Sequence, residues 1–287
     1  MRRAAPTRRA GRFPEDISTA FVNCVYHRVG MRAVAAGLTD VGRERKHNED
    51  RYILLPEFGV FVVADGMGGH LSGEVASRMA ATTVAGYFRA SGTGARRASL
   101  RETLVSALSD ANAKIFARAD DSRAHRGMGT TVVAAAYCPS DAVLYIAHAG
   151  DSRCYRIRDG RMEQLTRDHS LLQDALLERP DLTESDLAYL PRNVITRALG
   201  IGPSVELDVR VEPVRPGDCF LLCSDGLHGL VTDDDIVKIV VGAPTLTEAC
   251  RELIKRANAN GGKDNVTSVL IRIEDEDAPW ADRRLAR

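Results

Sequence analysis

Three apolar runs rich in β-branched residues, 130–138, 142–149 and 152–158, follow one another across gaps of three and two residues. A parallel partner needs a crossover of about a dozen residues or more, so strands this closely spaced must pair antiparallel. Runs of the same kind occupy 34–39, 51–55, 58–64, 205–212, 218–224 and 265–273. Two helical patterns separate the early strands from the closely spaced block. Residues 72–90 place Val75, Met79, Val84 and Phe88 at helical spacing. Residues 99–120 open with Ser99 and Glu102 as a capping box and continue with Leu104, Leu108, Ile115 and Phe116 on one face. A second box, Thr245 and Glu248, opens 245–259, with Leu246, Cys250, Leu253 and Ala257 following. Many antiparallel strands with segregated helices predict an α+β domain, a β-sandwich covered by helices.

The remaining composition narrows the function classes. The 287 residues carry 39 basic and 39 acidic side chains, a formal net charge of zero. That balance speaks against a chain held by bulk charge on nucleic acid or an anionic membrane. No apolar stretch approaches the ~18–20 residues of a membrane span. The six cysteines form no C-x-x-C pair, and several lie inside apolar runs, as in Cys219-Phe220-Leu221-Leu222-Cys223. Buried free thiols in a reducing cytoplasm are expected. Residues 1–32 hold Arg2, Arg3, Arg8, Arg9 and Arg12 among small residues, with no periodic apolar face. They read as a disordered basic extension, and Met31 offers an alternative start. The domain proper is expected over 33–274, with 168–200, which holds Pro180 and Pro191, as a short-helical flap and 275–287 as a charged tail.

Four aspartates sit at the ends of strand-like runs: Asp65 after Phe61-Val62-Val63-Ala64, Asp151 after Tyr145–Gly150, Asp225 after Phe220–Ser224, and Asp264 just before Val266. Singly, each is turn chemistry, because Asp-Gly, Asp-Ser and Asp-Asn are common turn pairs. Together they mean more. Strand ends of a sandwich gather at a shared edge, where several carboxylates repel unless protons or cations neutralise them. An all-oxygen set without a Cys or His cluster selects hard ions such as Mg²⁺ or Mn²⁺. Upstream, Arg45-Lys46-His47-Asn48-Glu49-Asp50 sets a guanidinium suited to bidentate phosphate capture near two adjacent carboxylates.

Six motifs in order carry a family resemblance: Arg45-x-x-Asn48-Glu49-Asp50, Ala64-Asp65-Gly66-Met67-Gly68-Gly69-His70, Gly129-Thr130-Thr131, Gly150-Asp151-Ser152-Arg153, Ser224-Asp225-Gly226-Leu227 and Asp264-Asn265-Val266-Thr267. Over roughly residues 34–273 the chain resembles the metal-dependent Ser/Thr protein phosphatases of the PPM or type 2C family, closest to the bacterial branch. The resemblance implies a four-layer α-β-β-α fold, a central antiparallel β-sandwich flanked on both sides by helices. It implies that Asp65 bridges two Mn²⁺ or Mg²⁺ ions with help from the Gly66 carbonyl. Asp225 and Asp264 would hold the first ion, Glu49 the second, and Asp50 water on it. Asp151, sharing Asp225, would hold a third and weaker ion. Arg45 would bind the substrate phosphate. Thr130, Thr131 and Arg153 are expected to be structural.

The implied reaction is hydrolysis of phosphoserine and phosphothreonine monoesters by a water or hydroxide bridging two ions, without a covalent phosphoenzyme. Its partners would be phosphoproteins, including a bacterial Ser/Thr kinase and its substrates, and the enzyme a cytoplasmic monomer. One departure stands out. Eukaryotic members place a histidine directly after Asp-Gly, where this chain and the bacterial members have Met67. The general acid is then either His70 or water held by the third ion, while His148 and His169 are expected to be buried or to lie behind the ligands. A silent binding module on the same fold and a metal-dependent nuclease are the alternatives. The complete ligand set disfavours the first, and the neutral charge without a basic-aromatic groove disfavours the second.

Overall fold

The computed structural model describes residues 30–68, 72–91, 99–121, 125–183, 186, 190–191 and 194–275. The expected extension up to residue 29, the tail from 276 onward and His70 lie outside the described residues. Among the described residues, eleven strands form two antiparallel sheets. Numbered along the chain, one sheet runs β1 (Met31–Asp40), β11 (Val266–Asp275), β10 (Cys219–Cys223), β7 (Arg153–Arg158) and β8 (Arg161–Gln164). The other runs β2 (Asp50–Leu55), β3 (Val60–Met67), β5 (Val132–Cys138), β6 (Val143–Ala149) and β9 (Asp208–Pro213), with β4 (Gly129–Thr130) paired to the end of β3.

Side-chain alternation explains why these strands read as continuous apolar runs. On β3, Val60, Val62 and Ala64 face the helices while Phe61 and Val63 face the opposite sheet. On β10, Leu221 and Cys223 face helices and Phe220 and Leu222 point between the sheets. Both faces are covered, so both sets must be apolar. Burying one such side chain contributes about 1.5–3 kcal/mol.

Helices α1 (Ser72–Ser91) and α2 (Leu100–Asp120) cover the β3 sheet. Ser99 caps α2 in the predicted box: its side chain accepts from the Glu102 N–H, and the Glu102 carboxylate accepts from the Ser99 N–H. Helix α3 (Leu171–Glu178) lies in the predicted flap and buries none of its side chains. After β10 come α4 (Asp225–His228), α5 (Asp233–Gly242) and α6 (Leu246–Ala259), which cover the β10 sheet. The four-layer arrangement expected from the motifs is the one observed.

The boundaries differ in instructive places. Strand β1 reaches back to Met31, and Arg32 pairs with Glu274 across β11 at 2.7 Å. Strand β3 runs on through Gly66 and Met67, which pair with Thr130 and Gly129, so Asp65 lies within the strand although it ends the ladder to β2. Strand 205–212 starts only at Asp208.

Candidate metal centre

Sheet register brings the predicted carboxylates to one edge of the sandwich. Asp50 opens β2 directly opposite Asp65 on β3. On the facing sheet, Cys223 of β10 lies beside both Ser268 of β11 and Arg153 of β7, so Asp225, Asp264 and Asp151 all lie just beyond that row. Asp225 is not a simple turn residue: it opens α4, a single turn closed by the Gly229 N–H on the Asp225 carbonyl.

Each carboxylate feels the others. Burial, then Asp50, Asp225, Asp151 and Asp264 in turn, push Asp65 well above the usual carboxylate range. Burial raises Asp50 to about 6 despite hydrogen bonds from Thr267 and Ser224. Burial and Asp225 raise Asp151 to about 7. Asp225 is raised by burial and Asp264, with Arg45 opposing. Glu49 is raised by burial, with Arg45 opposing.

Neutral groups hold this assembly in place. The Thr131 N–H and the Thr130 hydroxyl both donate to the Asp65 carbonyl, at 2.8 and 2.9 Å. The Asp65 N–H donates to the Thr131 hydroxyl, which meets Ser152 at 2.7 Å. Asp50 Oδ2 accepts from Ser224 at 2.7 Å and Thr267 at 2.6 Å. Asn265 accepts the Glu49 N–H at 2.7 Å and donates to the carbonyls of Val41 and His47. Ser224, Asn265 and Thr267 stand in the quoted motifs, but no role was expected of them. Their signal is a polar residue amid buried apolar strand positions, as Ser224 and Thr267 are fully buried.

The donors fit divalent cations. Glu49 Oε1, Asp50 Oδ1 and Asp225 Oδ1 are buried oxygens with no hydrogen-bond partner, which is costly unless a cation or proton satisfies them. A Cβ on Gly66 would lie 2.1 Å from the Gly73 carbonyl oxygen and 2.7 Å from that of Glu49. Only glycine lets the first turn of α1 and the Glu49 backbone close over Gly66 in this way. The donor set is all oxygen, which favours Mn²⁺ or Mg²⁺.

Arg45 reaches the same edge but engages it differently. Its Nη2 lies 2.6 Å from Asp264 Oδ2, with the guanidinium half exposed. Arg153 forms a two-point pair with Asp168 and reaches Tyr155, the structural role expected of it. His148 and His169 are buried and stacked, with ring centroids 4.7 Å apart and planes 9° from parallel. His228, which drew no attention in the sequence, places Nε2 3.1 Å from the Asp151 carbonyl oxygen.

The chain is similar to known proteins over most of its length. Residues 43–270 match the family described as Protein phosphatase 2C. The serine/threonine phosphatase stp of Listeria innocua is 38% identical over 237 residues, covering 81% of this chain and 93% of that protein. The protein phosphatase PhpP of Streptococcus pneumoniae is 36% identical over 84% of this chain and 98% of its own length. Among solved structures, the Mycobacterium tuberculosis serine/threonine phosphatase PstP/Ppp is 34% identical with a TM-score of 0.74, covering 86% of this chain and all of that one. A PstP catalytic domain in complex with two manganese ions is 32% identical with a TM-score of 0.71, covering 85% of this chain and all of its own.

Proposed function

This chain belongs to the Protein phosphatase 2C family of metal-dependent serine/threonine phosphoprotein phosphatases, and from that premise we propose that its carboxylate edge hydrolyses phosphoserine and phosphothreonine monoesters directly. The carrying observation is the convergence of Glu49, Asp50, Asp65, Asp225 and Asp264, with three of their oxygens buried and unpartnered.

In this reading Asp65 and the Gly66 carbonyl would help to hold two cations. Asp225 and Asp264 would contribute to the first and Glu49 to the second. Asp151 and Asp225 would hold a third, weaker ion. When bound, the ions supply an activated water and neutralise charge on the phosphoryl oxygens. The chain's own residues do the rest. Asp50, fixed through Oδ2 by Ser224 and Thr267, keeps Oδ1 free to orient water. Arg45 pairs with Asp264, and with that carboxylate engaged by a cation its guanidinium would be available for the substrate phosphate, which its fork suits. The Thr130–Thr131 pair holds Asp65 in register while the substrate turns over. His70 or a water beside Asp151 would protonate the leaving group.

The similarity to the Listeria and Streptococcus phosphatases supports a role opposing a bacterial Ser/Thr kinase. The free thiols among the described cysteines support a reducing, cytoplasmic setting. No helix among the described residues is long and apolar enough to cross a membrane.

The test is hydrolysis of matched phosphothreonine, phosphoserine and phosphotyrosine peptides with Mn²⁺ or Mg²⁺, with and without chelator. Turnover of the first two that requires the metal supports the proposal. Preference for phosphotyrosine, or turnover that persists in chelator, sinks it.

A further inference from the structure

Asp151 occupies the turn between β6 and β7, and two imidazoles grip the backbone on either side of its Cα. His169 grips the preceding residue twice. Its backbone N–H donates to the Gly150 carbonyl at 3.0 Å, and its ring Nδ1 accepts from the Gly150 N–H at 3.2 Å. On the following side, His228 Nε2 meets the Asp151 carbonyl oxygen at 3.1 Å. Gly150 itself has φ +113°, and a Cβ there would lie 2.6 Å from the Thr131 side chain, so the turn cannot relax in that direction.

The partners dictate the tautomers. A carbonyl oxygen only accepts, so His228 carries its proton on Nε2. The Gly150 N–H only donates, so His169 leaves Nδ1 bare and directs Nε2 at Asp208 Oδ2, 3.3 Å away. The stacked ring of His148, whose own Nε2 lies 2.8 Å from the Arg167 carbonyl, fixes the plane of His169. Parallel stacked rings direct their in-plane lone pairs along separate planes and cannot converge on one ion. The His148–His169–Asp208 group is therefore a stacked imidazole pair beside a carboxylate and not a second metal site.

The origins of the two imidazoles give the clamp its meaning. His228 ends α4, the turn that begins with Asp225. His169 opens the 168–200 segment and is joined to its return by the Thr196 N–H, which donates to the His169 carbonyl at 2.9 Å. One imidazole thus ties Asp151 to Asp225, and the other ties it to the base of the segment beside the site. We propose that His169 and His228 are positioning residues that set the Asp151 carboxylate for the third divalent ion. The inference rests on the assignment of Asp151 to that ion.

The test uses the full chain and Mn²⁺ binding by isothermal titration calorimetry, beside the Mn²⁺ dependence of phosphopeptide hydrolysis. His228→Gln keeps a donor near Nε2, and His169→Asn keeps an acceptor near Nδ1. His228→Leu and His169→Gln remove them. The removing variants should weaken the weakest Mn²⁺ site about 10-fold, the lower end of the effect of groups behind metal ligands, and leave the tighter two unmoved. The retaining variants should bind as wild type, and neither removing substitution should add to Asp151→Ala. Three unchanged binding events in the removing variants overturn the clamp while Asp151→Ala still loses the weak site. A weak site that survives Asp151→Ala overturns the assignment beneath it. Should His228→Leu fail to fold by circular dichroism, the His169 pair decides between the same outcomes.

Discussion

Strand β10 is flanked by two carboxylates with buried oxygens, Asp218 and Asp225, and the two are satisfied in opposite ways. At its start Asp218, 1% exposed, accepts from Arg158 through both oxygens, at 2.6 and 2.5 Å, and from the Arg215 N–H. Its neighbour Glu212 is likewise held by Arg156 and Arg210. Seven residues on, Asp225 faces Asp65 and Asp264, with Arg45 opposing them. Burial is common to both ends, so burial alone does not mark function. What separates them is the counter-charge: the chain supplies it at one end and leaves it to be supplied at the other.

The comparison breaks first on activity. Asp225→Ala should lower kcat/KM for a phosphothreonine peptide by more than ~10³-fold, because a lost cation withdraws several kcal/mol of transition-state stabilisation. Asp218→Ala should leave kcat/KM within about 2-fold. Comparable losses in the two variants would erase the functional distinction between the ends.

Stability should show the reverse order. Removing Asp218 strands Arg158 in a largely buried pair and should cost about 3 kcal/mol in urea unfolding. Asp225→Ala relieves repulsion and should cost nothing in chelator.

The pH dependence sharpens the contrast further. Asp50 at about 6, Asp151 at about 7 and the raised Asp65 and Asp225 all titrate above ordinary carboxylates. Their neutral forms favour folding, so that contribution is complete below about pH 4 and disappears as pH rises through 6 to 7. In chelator, Tm should fall between about pH 5 and about pH 8, and Mn²⁺ should restore it at the upper end. A Tm that climbs over this range without metal would contradict the raised values.

The same division governs what the sequence could reveal. Carboxylates at strand ends announced the edge, because strand ends of a sandwich must gather. The apolar runs announced both sheets, because faces covered on both sides leave no polar positions. Other elements were hidden by competing local signals. Helix α5 reads Ile236-Val237-Lys238-Ile239-Val240-Val241, β-branched residues suited to a strand, yet the Thr232 cap and the burial of Ile236 and Val240 make it a helix. Strand β8, Arg161–Gln164, has no buried residue and owes its form to pairing with β7. His228 was illegible for a different reason: its partner is a backbone carbonyl 77 residues away, a contact that leaves no pattern in residue type.

The smallest expected effect concerns the neutral scaffold of the carboxylate end. Thr131 Oγ1 accepts from the Asp65 N–H at 3.2 Å and meets Ser152 at 2.7 Å, next to Asp151. Valine keeps the shape and removes the hydroxyl, leaving the Asp65 N–H without its acceptor. Thr131→Val should therefore cost about 1–3 kcal/mol in unfolding, the range for a buried donor left unsatisfied. If the hydroxyl only packs, kcat/KM at saturating Mn²⁺ stays at the wild-type value. If it also holds the Asp65 carboxylate in register, kcat falls by roughly 10-fold with KM unmoved, as for groups behind metal ligands. The second outcome is expected, because Thr131 touches Asp65 through its own backbone as well and the residue cannot shift without moving the strand.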